Sequence, residues 1–169
     1  MAERQIVKYG DPVLREVSKK VEKIDQGTKD LVSDMTDTLE AASGLGLAAV
    51  QIGVLLRVFI IDLAAIDPTA SLKAYINPEI LKTSQDEVEM EEGCLSFPGI
   101  YQKISRPESV RIRATGLDGK VFEETLHDLA ARAVLHEYDH IEGKLFIDYL
   151  SPFAKTLLSG KLKKLATAS

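Results

Sequence analysis

The sequence contains one cysteine, no tryptophan and few other aromatic residues. A single cysteine excludes an internal disulfide, and a lone thiol is typical of proteins from a reducing compartment such as the cytoplasm. The fold must therefore depend on apolar residues, which make up 45% of the 169-residue chain. That content is sufficient for one ordinary hydrophobic core. We expect one domain over residues 1–169 and a cytoplasmic location.

An excess of positive charge and long apolar runs are also lacking. The chain has 21 Lys and Arg against 26 Asp and Glu, which argues against a broad basic surface for sequence-specific binding of nucleic acid. No apolar run approaches the roughly 20 residues that a membrane span requires. The first residues, "MAERQIVKYGDP", lack the apolar stretch of a signal peptide. We expect no membrane partner.

Helical spacing occurs near both ends of the chain. In segment 25–44, Leu31, Met35 and Leu39 recur every four residues, and Gly44 supplies a stop signal. A second helix is predicted to follow Ser151–Pro152, a cap residue followed by a proline at the first turn. We expect that helix to bury one apolar stripe, formed by Phe153, Leu157, Leu158, Leu162 and Leu165.

Strand patterns fill the region between these helices. Segment 57–63 is rich in β-branched residues and predicts a buried strand, whereas "KAYINPEIL" predicts a strand broken at Pro78. In "DEVEMEE", which begins at Asp86, apolar and acidic residues alternate, which predicts a strand with one solvated face. Asp118–Gly119 supplies the turn of a hairpin over 109–126.

Good helix formers run through "LHDLAARAVLHEYDHIEGKL", residues 126–145, and predict a further helix. The order is therefore helix, several strands, then helices, which is typical of an α+β domain rather than a doubly wound parallel sheet. We expect antiparallel β-strands packed around this central helix, with an N-terminal helix and a C-terminal helix.

The central helix carries two of the three histidines, with a glutamate directly after the first. Residues four apart lie about 40° apart around a helix, so His136 and His140 share one side and Glu137 lies beside them. His-Glu-x-x-His is a metal-site pattern in which the carboxylate handles a proton. A solvated helix with two titrating histidines is the alternative, but the apolar neighbours Ala133, Val134, Leu135 and Ile141 argue against it.

A catalytic ion needs about three protein ligands, so a third must come from elsewhere. Downstream, Glu142 points off the histidine face and Asp148 lies beyond the expected helix end, and neither is convincing. His127 is predicted to point to the opposite side, as a surface or helix-start residue. Cys94, at the sharp bend that Gly93 permits, could reach the histidines. As an alternative, Cys94 is a small buried apolar residue.

The stretch "SGLGLAAVQIG", residues 43–53, has only two of the glycines of a nucleotide-binding loop, with no preceding strand and no following Lys-Ser/Thr. We therefore reject a phosphate site. Gly44 and Gly46 instead predict a flexed loop whose backbone comes close to a substrate chain. Gln51 would be an amide directed inwards, or else a solvated loop residue.

These three stretches, in this order, resemble the peptide deformylases. The family pattern is Gly-x-Gly-x-Ala-Ala-x-Gln, Glu-Gly-Cys-Leu-Ser and His-Glu-x-x-His, and this chain has "GLGLAAVQ", "EGCLS" and "HEYDH". The flanking segments "IVKYGDPVLR", "INPEI" and "GKLFIDYLSP" are also similar to the bacterial enzymes. The tail "KTLLSGKLKKLATAS" is less distinctive.

The resemblance implies a hydrolase that removes the formyl group from N-terminal formyl-methionine of new polypeptides. It implies that Cys94, His136 and His140 hold iron(II), with zinc, nickel or cobalt as substitutes, and that Glu137 is the general acid and base. Gln51 and the Leu95 N–H would bind the developing oxyanion. The family acts on chains leaving the ribosome, so the lysines of the C-terminal helix could contact the ribosome. These lysines are Lys155, Lys161, Lys163 and Lys164. The default interpretation is that they form a solvated helix face.

The substrate is expected to lie extended along a strand edge. Its methionine needs an apolar pocket, for which the expected lining is Leu45, Met90, Leu129 and Ala133, next to Gly44 and Gly46. Each apolar member could equally be plain core. Glu92 is either part of a solvated strand face or a partner of a metal ligand.

Two other functions remain open from the sequence. One is a metalloprotease that cuts internal peptide bonds, which would need a third ligand other than Cys94. The other is a non-enzymatic domain with a structural zinc site, which would need four protein ligands where three are credible.

Overall fold

Two antiparallel sheets and three α-helices form the part of the chain that this computed structural model describes, residues 2–167. The helices are α1 (Gln26–Ala42), α2 (Asp128–Ile141) and α3 (Pro152–Thr167). The strands are β1 (Gly46–Ala48), β2 (Val58–Asp62), β3 (Leu72–Thr83), β4 (Glu87–Gly93), β5 (Tyr101–Pro107), β6 (Ser109–Thr115) and β7 (Val121–His127). The predicted α+β fold is confirmed. Of the predicted domain, Met1, Ala168 and Ser169 lie outside the described residues.

Five strands pair in the order β1-β2-β3-β6-β7, whereas β4 pairs with β5 in a separate hairpin. Strand β2 is buried on both faces because a helix covers each one. Phe59 and Ile61 face the cluster that contains Val134 of α2, and Val58 and Ile60 face the cluster that contains the predicted apolar residues of α1. Helix α2 is therefore central, as expected, and its polar side is free to form a site.

The sequence predicts that the strand breaks at Pro78, and this prediction is wrong: β3 continues through the proline. The register with β6 shifts between Ile76 and Glu79, which places a bulge at the proline. A bulge leaves one residue out of the ladder, so the missing N–H of Pro78 costs no sheet hydrogen bond. Asn77, at φ 50°, ties the bulge to Val21 through two hydrogen bonds of 2.8 and 2.9 Å.

The predicted stripe of α3 is partly wrong. Leu158 is buried, and Leu162 and Leu165 pack against the cluster that contains Phe97 and Phe146. Phe153 and Leu157 lie on the other side of the helix and are 73% and 70% exposed. Which side of α3 is buried depends on where the rest of the fold contacts it, and the apolar pattern of the helix does not encode that.

The predicted solvated face of β4 needs a similar correction. Val88 and Met90, expected on a buried face, are 42% and 38% exposed, whereas Glu92 on the same face is buried. The neighbouring strand β5 has no counterpart among the predicted strands. No helix within residues 2–167 combines the length and the apolar character that a membrane span requires.

Candidate metal centre

Helix α2 places His136, Glu137 and His140 on its buried side. His127 precedes the helix and is exposed, with its ring 3.7 Å from Glu108, so the prediction of a helix-start residue is confirmed. His140 is 1% exposed. Two imidazoles buried this deeply would be costly without partners, which indicates a shared function for them.

Cys94 reaches these imidazoles from the end of β4. Its sulfur lies 3.4 Å from His140 Nε2, and the ligand atoms of Cys94, His136 and His140 all lie within 4.8 Å of one another. Gly93, the last residue of β4, pairs with Tyr101 of β5, and the ring occupies the space that a side chain at Gly93 would take. A Cβ there would lie 2.6 Å from the Tyr101 ring.

The other candidates for a third ligand are engaged elsewhere. Asp148 accepts two hydrogen bonds from Arg15, at 2.7 and 3.0 Å, and Glu142 pairs with Arg57 at 2.9 Å. A carboxylate in a salt bridge away from the histidines cannot also serve as their partner. Cys94 is thus the one predicted candidate that the structure brings to the histidine pair.

The environment treats the two imidazoles differently. Burial lowers the pKa of His136, but hydrogen bonds to Cys94 and Glu92 outweigh burial and raise it well above its ordinary value. Burial and the positive charges of His136 and Arg106 lower the pKa of His140 well below its ordinary value. His140 therefore offers a neutral ring nitrogen directly, whereas a cation at the site must compete with a proton on His136.

Glu92 holds His136 in one orientation. Its Oε1 lies 2.9 Å from His136 Nδ1, which leaves Nε2 for a ligand. Arg106 donates to both carboxylate oxygens and Arg132 donates to Oε2. Burial would raise the pKa of Glu92, but hydrogen bonds from His136 and Arg106 and their charges lower it to about 2. Of the two interpretations of Glu92, the structure supports a partner of a metal ligand.

Arg106 extends this network away from the site. Its Nη1 donates to Asp139 Oδ2 at 2.9 Å, and the Tyr149 hydroxyl donates to the same oxygen at 2.8 Å. The buried charges of Arg106, Arg132, Glu92 and Asp139 balance, so the cluster carries no net charge. Buried ions need this kind of pairing, because an isolated one would pay a large desolvation penalty.

Glu137 is buried beside the three ligand residues, 5% exposed. Its Oε1 has no hydrogen-bond partner within residues 2–167, and the side chain lines a cavity. Burial raises the pKa of Glu137 to about 7. A carboxyl group of that pKa can both accept and return a proton near neutral pH.

The absence of a side chain at Gly46 gives Glu137 its space. A Cβ there would lie 3.0 Å from Glu137 Oε2 and 2.9 Å from Ile61 Cδ1. We expect Gly46→Ala to displace the carboxylate and to lower kcat by about tenfold or more, with little change in metal content. Steady-state kinetics and metal analysis measure both. The control is Gly160→Ala in α3, which should leave kcat unchanged because Gly160 has open space around it. Gly53→Ala is unsuitable as a control because Gly53 has a positive φ. Wild-type kcat in Gly46→Ala would contradict this account.

Gln51 lies opposite, in a short 3₁₀ turn after β1, and its amide orientation is fixed. The Ala48 N–H donates to Oε1 at 2.9 Å, so Nε2 faces the site, 3.2 Å from Ser96 Oγ and 3.7 Å from Cys94 Sγ. The predicted inward amide is therefore what the structure shows. The Leu95 N–H makes no hydrogen bond to another described residue, so it too is available as a donor.

A cavity of about 510 Å³ opens onto these groups. Gly44, Leu45, Gly46, Leu129 and Ala133 line it as predicted. Met90 does not. The lining of β4 begins at Glu91, so Met90 lies just outside it.

Sequence reasoning missed part of the lining: Phe97, Pro98, Gly99, Tyr101 and Arg132. Pro98 and Gly99 directly follow the cysteine motif, and that proximity was an available signal. Tyr101 gave none, since β5 was not predicted. An arginine in an apolar cavity wall has no pattern that distinguishes it from a surface residue.

Comparison with known proteins gives concordant matches. A protein-family model described as "Polypeptide deformylase" matches residues 3–156. A peptide deformylase of Novosphingobium aromaticivorans is 44% identical in an alignment 188 positions long, which covers 100% of both chains. One of Pseudomonas aeruginosa is 41% identical, over 97% of this chain and 96% of that protein. The crystal structure of a peptide deformylase from Legionella pneumophila has a TM-score of 0.89 and 43% identity, and covers 96% of this chain and 95% of its own.

Proposed function

The chain belongs to the polypeptide deformylase family, and from this premise we propose how its residues act. It is a metal-dependent hydrolase, in one catalytic domain, that removes the formyl group from the N-terminal formyl-methionine of new polypeptides and releases formate. The observation that carries the proposal for the site is the convergence of Cys94, His136 and His140 within 4.8 Å, beside the buried Glu137.

The donor set fits a catalytic divalent ion. One thiolate and two imidazoles suit first-row transition metals, and three protein ligands leave a position open. The orientation of His136 by Glu92 fits the same purpose. We propose iron(II) as the native metal, with zinc, nickel or cobalt as substitutes. When bound, such an ion lowers the pKa of water from about 15.7 towards 7.

Glu137 is the residue that moves protons. Its carboxylate takes a proton from the attacking water and returns it to the amine nitrogen as the C–N bond breaks. Oε1, which has no other partner among the described residues, is the oxygen available for this transfer.

Gln51 Nε2 and the Leu95 N–H stabilise the negative charge that develops on the formyl oxygen. Both donors are held in place before substrate binds. The Ala48 N–H orients the amide of Gln51, and Leu95 lies in a turn closed by the hydrogen bond from the Phe97 N–H to the Cys94 carbonyl. Preorganised donors of this kind cost no reorganisation when the reaction occurs.

We expect Gln51→Leu to lower kcat by about 10²- to 10³-fold, because one oxyanion donor is lost. Metal content should stay unchanged, since Gln51 is not a ligand. The matched control is Gln102→Leu on β5, since Gln102 does not line the cavity onto which Gln51 opens. Turnover in Gln51→Leu equal to that of the control would remove the amide from the mechanism.

The substrate peptide binds as an added strand. β1 lies at the edge of the five-stranded sheet, so one of its sides is available for main-chain hydrogen bonds. The adjoining loop of Gly44 and Leu45 lines the cavity, and Leu129 and Ala133 line its helical wall. The methionine side chain would occupy this apolar part.

The decisive test of the activity is formate release from formyl-Met-Ala-Ser by protein purified without oxygen, with metal analysis of the same sample. We expect formate in proportion to the loaded metal, and no cleavage of acetyl-Met-Ala-Ser or of an internal bond. Internal cleavage that persists in Cys94→Ala would instead indicate a protease.

The iron-loaded protein is expected to be more sensitive to oxidation than protein loaded with a substitute metal. Peroxide can oxidise an iron(II)–thiolate centre at the metal as well as at the sulfur, and we expect the iron to react first, whereas nickel(II) does not cycle in this way. We expect brief treatment with hydrogen peroxide to abolish the activity of the iron-loaded protein and to spare most of that of the nickel-loaded protein. The measurement is residual formate release together with iron retention. An iron-loaded form that is indifferent to peroxide would count against iron–thiolate coordination.

We further propose that the protein acts in the cytoplasm on chains leaving the ribosome. The four lysines of α3 are exposed, which is compatible with such a contact: Lys155, Lys161, Lys163 and Lys164. Co-sedimentation with ribosomes, compared between the wild type and a variant with these lysines changed to glutamine, tests it. Equal sedimentation of the two would contradict the proposed contact.

A further inference from the structure

The strand that leads into Cys94 is not part of the sheet on which α2 packs. Among residues 2–167, β4 and β5 pair only with each other, whereas His136 and His140 lie on α2. Ladder hydrogen bonds therefore do not fix the distance between the Cys94 sulfur and the imidazoles. Contacts outside the ladders have to fix it. Gln51 holds the segment of Cys94 and Ser96 from one side, and contacts between the hairpin and α2 hold it from the other.

Arg132 makes contacts that join α2 to the hairpin backbone. It lies one helical turn before His136, and its side chain is 6% exposed. Its Nη1 donates to the Ile104 carbonyl at 2.9 Å and its Nη2 to the Val88 carbonyl at 2.6 Å. Nη1 also lies 2.6 Å from Glu92 Oε2. One guanidinium is thus bonded to both strands and to the carboxylate that orients His136.

The other polar links across this boundary join side chain to side chain. Arg106 bonds Asp139, and Glu92 bonds His136. Such links can adapt by rotation about side-chain torsions. Two of the three bonds of Arg132 end on main-chain carbonyls, so we expect their loss to displace the strands themselves. The planar guanidinium also fixes the directions of its donors, which an ammonium group does not.

We propose that Arg132 is a positioning residue of the metal centre, which sets the place of Cys94 relative to His136 and His140 by clamping β4 and β5 onto α2. The proposal rests on the proposed function, since it concerns the ligands assigned there. Arg132 itself touches neither the ion nor the reacting atoms in this scheme. Its guanidinium lines the cavity, but its donors are engaged by Glu92 and the two carbonyls.

The test is cobalt binding to Arg132→Met, which keeps an apolar side chain but removes the guanidinium. Thiolate-to-cobalt charge-transfer absorption reports the sulfur ligand, and competition with a chromogenic chelator reports affinity. We expect affinity to fall about 10- to 100-fold, as for other outer partners of metal ligands, with weaker charge transfer per bound cobalt. Lysine cannot reproduce the paired donors of the guanidinium, so the cobalt affinity and charge transfer of Arg132→Lys should lie between those of the wild type and Arg132→Met.

The matched control is Arg113→Met, which removes an exposed arginine of β6 that pairs with Glu123. Its cobalt affinity and spectrum should equal those of the wild type. Wild-type affinity and spectrum in Arg132→Met, even with a lower melting temperature, would overturn the proposal and leave Arg132 a structural residue.

If Arg132→Met does not fold, the cobalt affinity and spectrum of Arg132→Lys test the proposal, and wild-type values in that variant would overturn it. A wild-type spectrum with no thiolate band would contradict the proposed metal site itself, which distinguishes the two failures.

Discussion

Glu137→Gln is expected to lower kcat for formyl-Met-Ala-Ser by about 10³- to 10⁴-fold, because an amide cannot accept the proton of the attacking water. Glutamine has nearly the same volume, so the cavity next to Gly46 and the ligand residues should be undisturbed. Metal content and melting temperature should therefore match the wild type. Steady-state formate release, metal analysis and thermal unfolding of one preparation measure the three quantities.

The matched control is Glu142→Gln. Glu142 directly follows α2 and pairs with Arg57 away from the cavity, so its loss should leave kcat within about twofold. Near-normal turnover in Glu137→Gln would remove this carboxylate from the mechanism. A loss of metal along with activity would show a role in binding instead of proton transfer.

Cys94→Ala is expected to have the second large effect, loss of tightly bound metal and with it of all measurable deformylation. Two imidazoles alone are a poor site for a catalytic ion, which usually has three protein ligands. The fold should survive, because Cys94 is only partly buried and the core clusters around α1 and α2 do not depend on it. Equilibrium dialysis against zinc, with circular dichroism as the check on folding, measures both properties.

Cys94→Asp is the informative companion, since a carboxylate restores a ligand without restoring sulfur. We expect partial zinc binding and no thiolate charge transfer in the cobalt form. Retention of full metal content in Cys94→Ala would mean that a different residue supplies the third ligand.

The residues that converge on the metal centre could be predicted because their patterns are local. The four-residue spacing of His136 and His140 puts both on one side of any helix, and Gly93 marks the bend at Cys94. The same holds for Gly46 and Gln51, which lie in one short segment. That the segments of Gln51, Cys94 and the histidines meet in space could be predicted only from the resemblance to a family, because spacing within one segment says nothing about its distance from another.

The supporting network could not be predicted in this way. Arg106 occupies a buried position of β5 where the strand pattern expects an apolar residue, so the alternation of "YQKISRP" is obscured. Its partner Asp139, and Tyr149, whose ring it faces, lie more than thirty residues along the chain. Arg132 is likewise a charged residue on a buried helical side. Buried ion pairs are fixed by tertiary contacts, and hydrophobic periodicity carries no signal for them.

The central claim is that the Cys94 sulfur and the two imidazoles bind one divalent ion. X-ray absorption spectroscopy at the metal edge, on protein purified without oxygen, tests it most directly. The account predicts one sulfur scatterer and two imidazole nitrogens per bound metal, and the loss of the sulfur contribution in Cys94→Asp. A wild-type spectrum with only nitrogen and oxygen neighbours would contradict it.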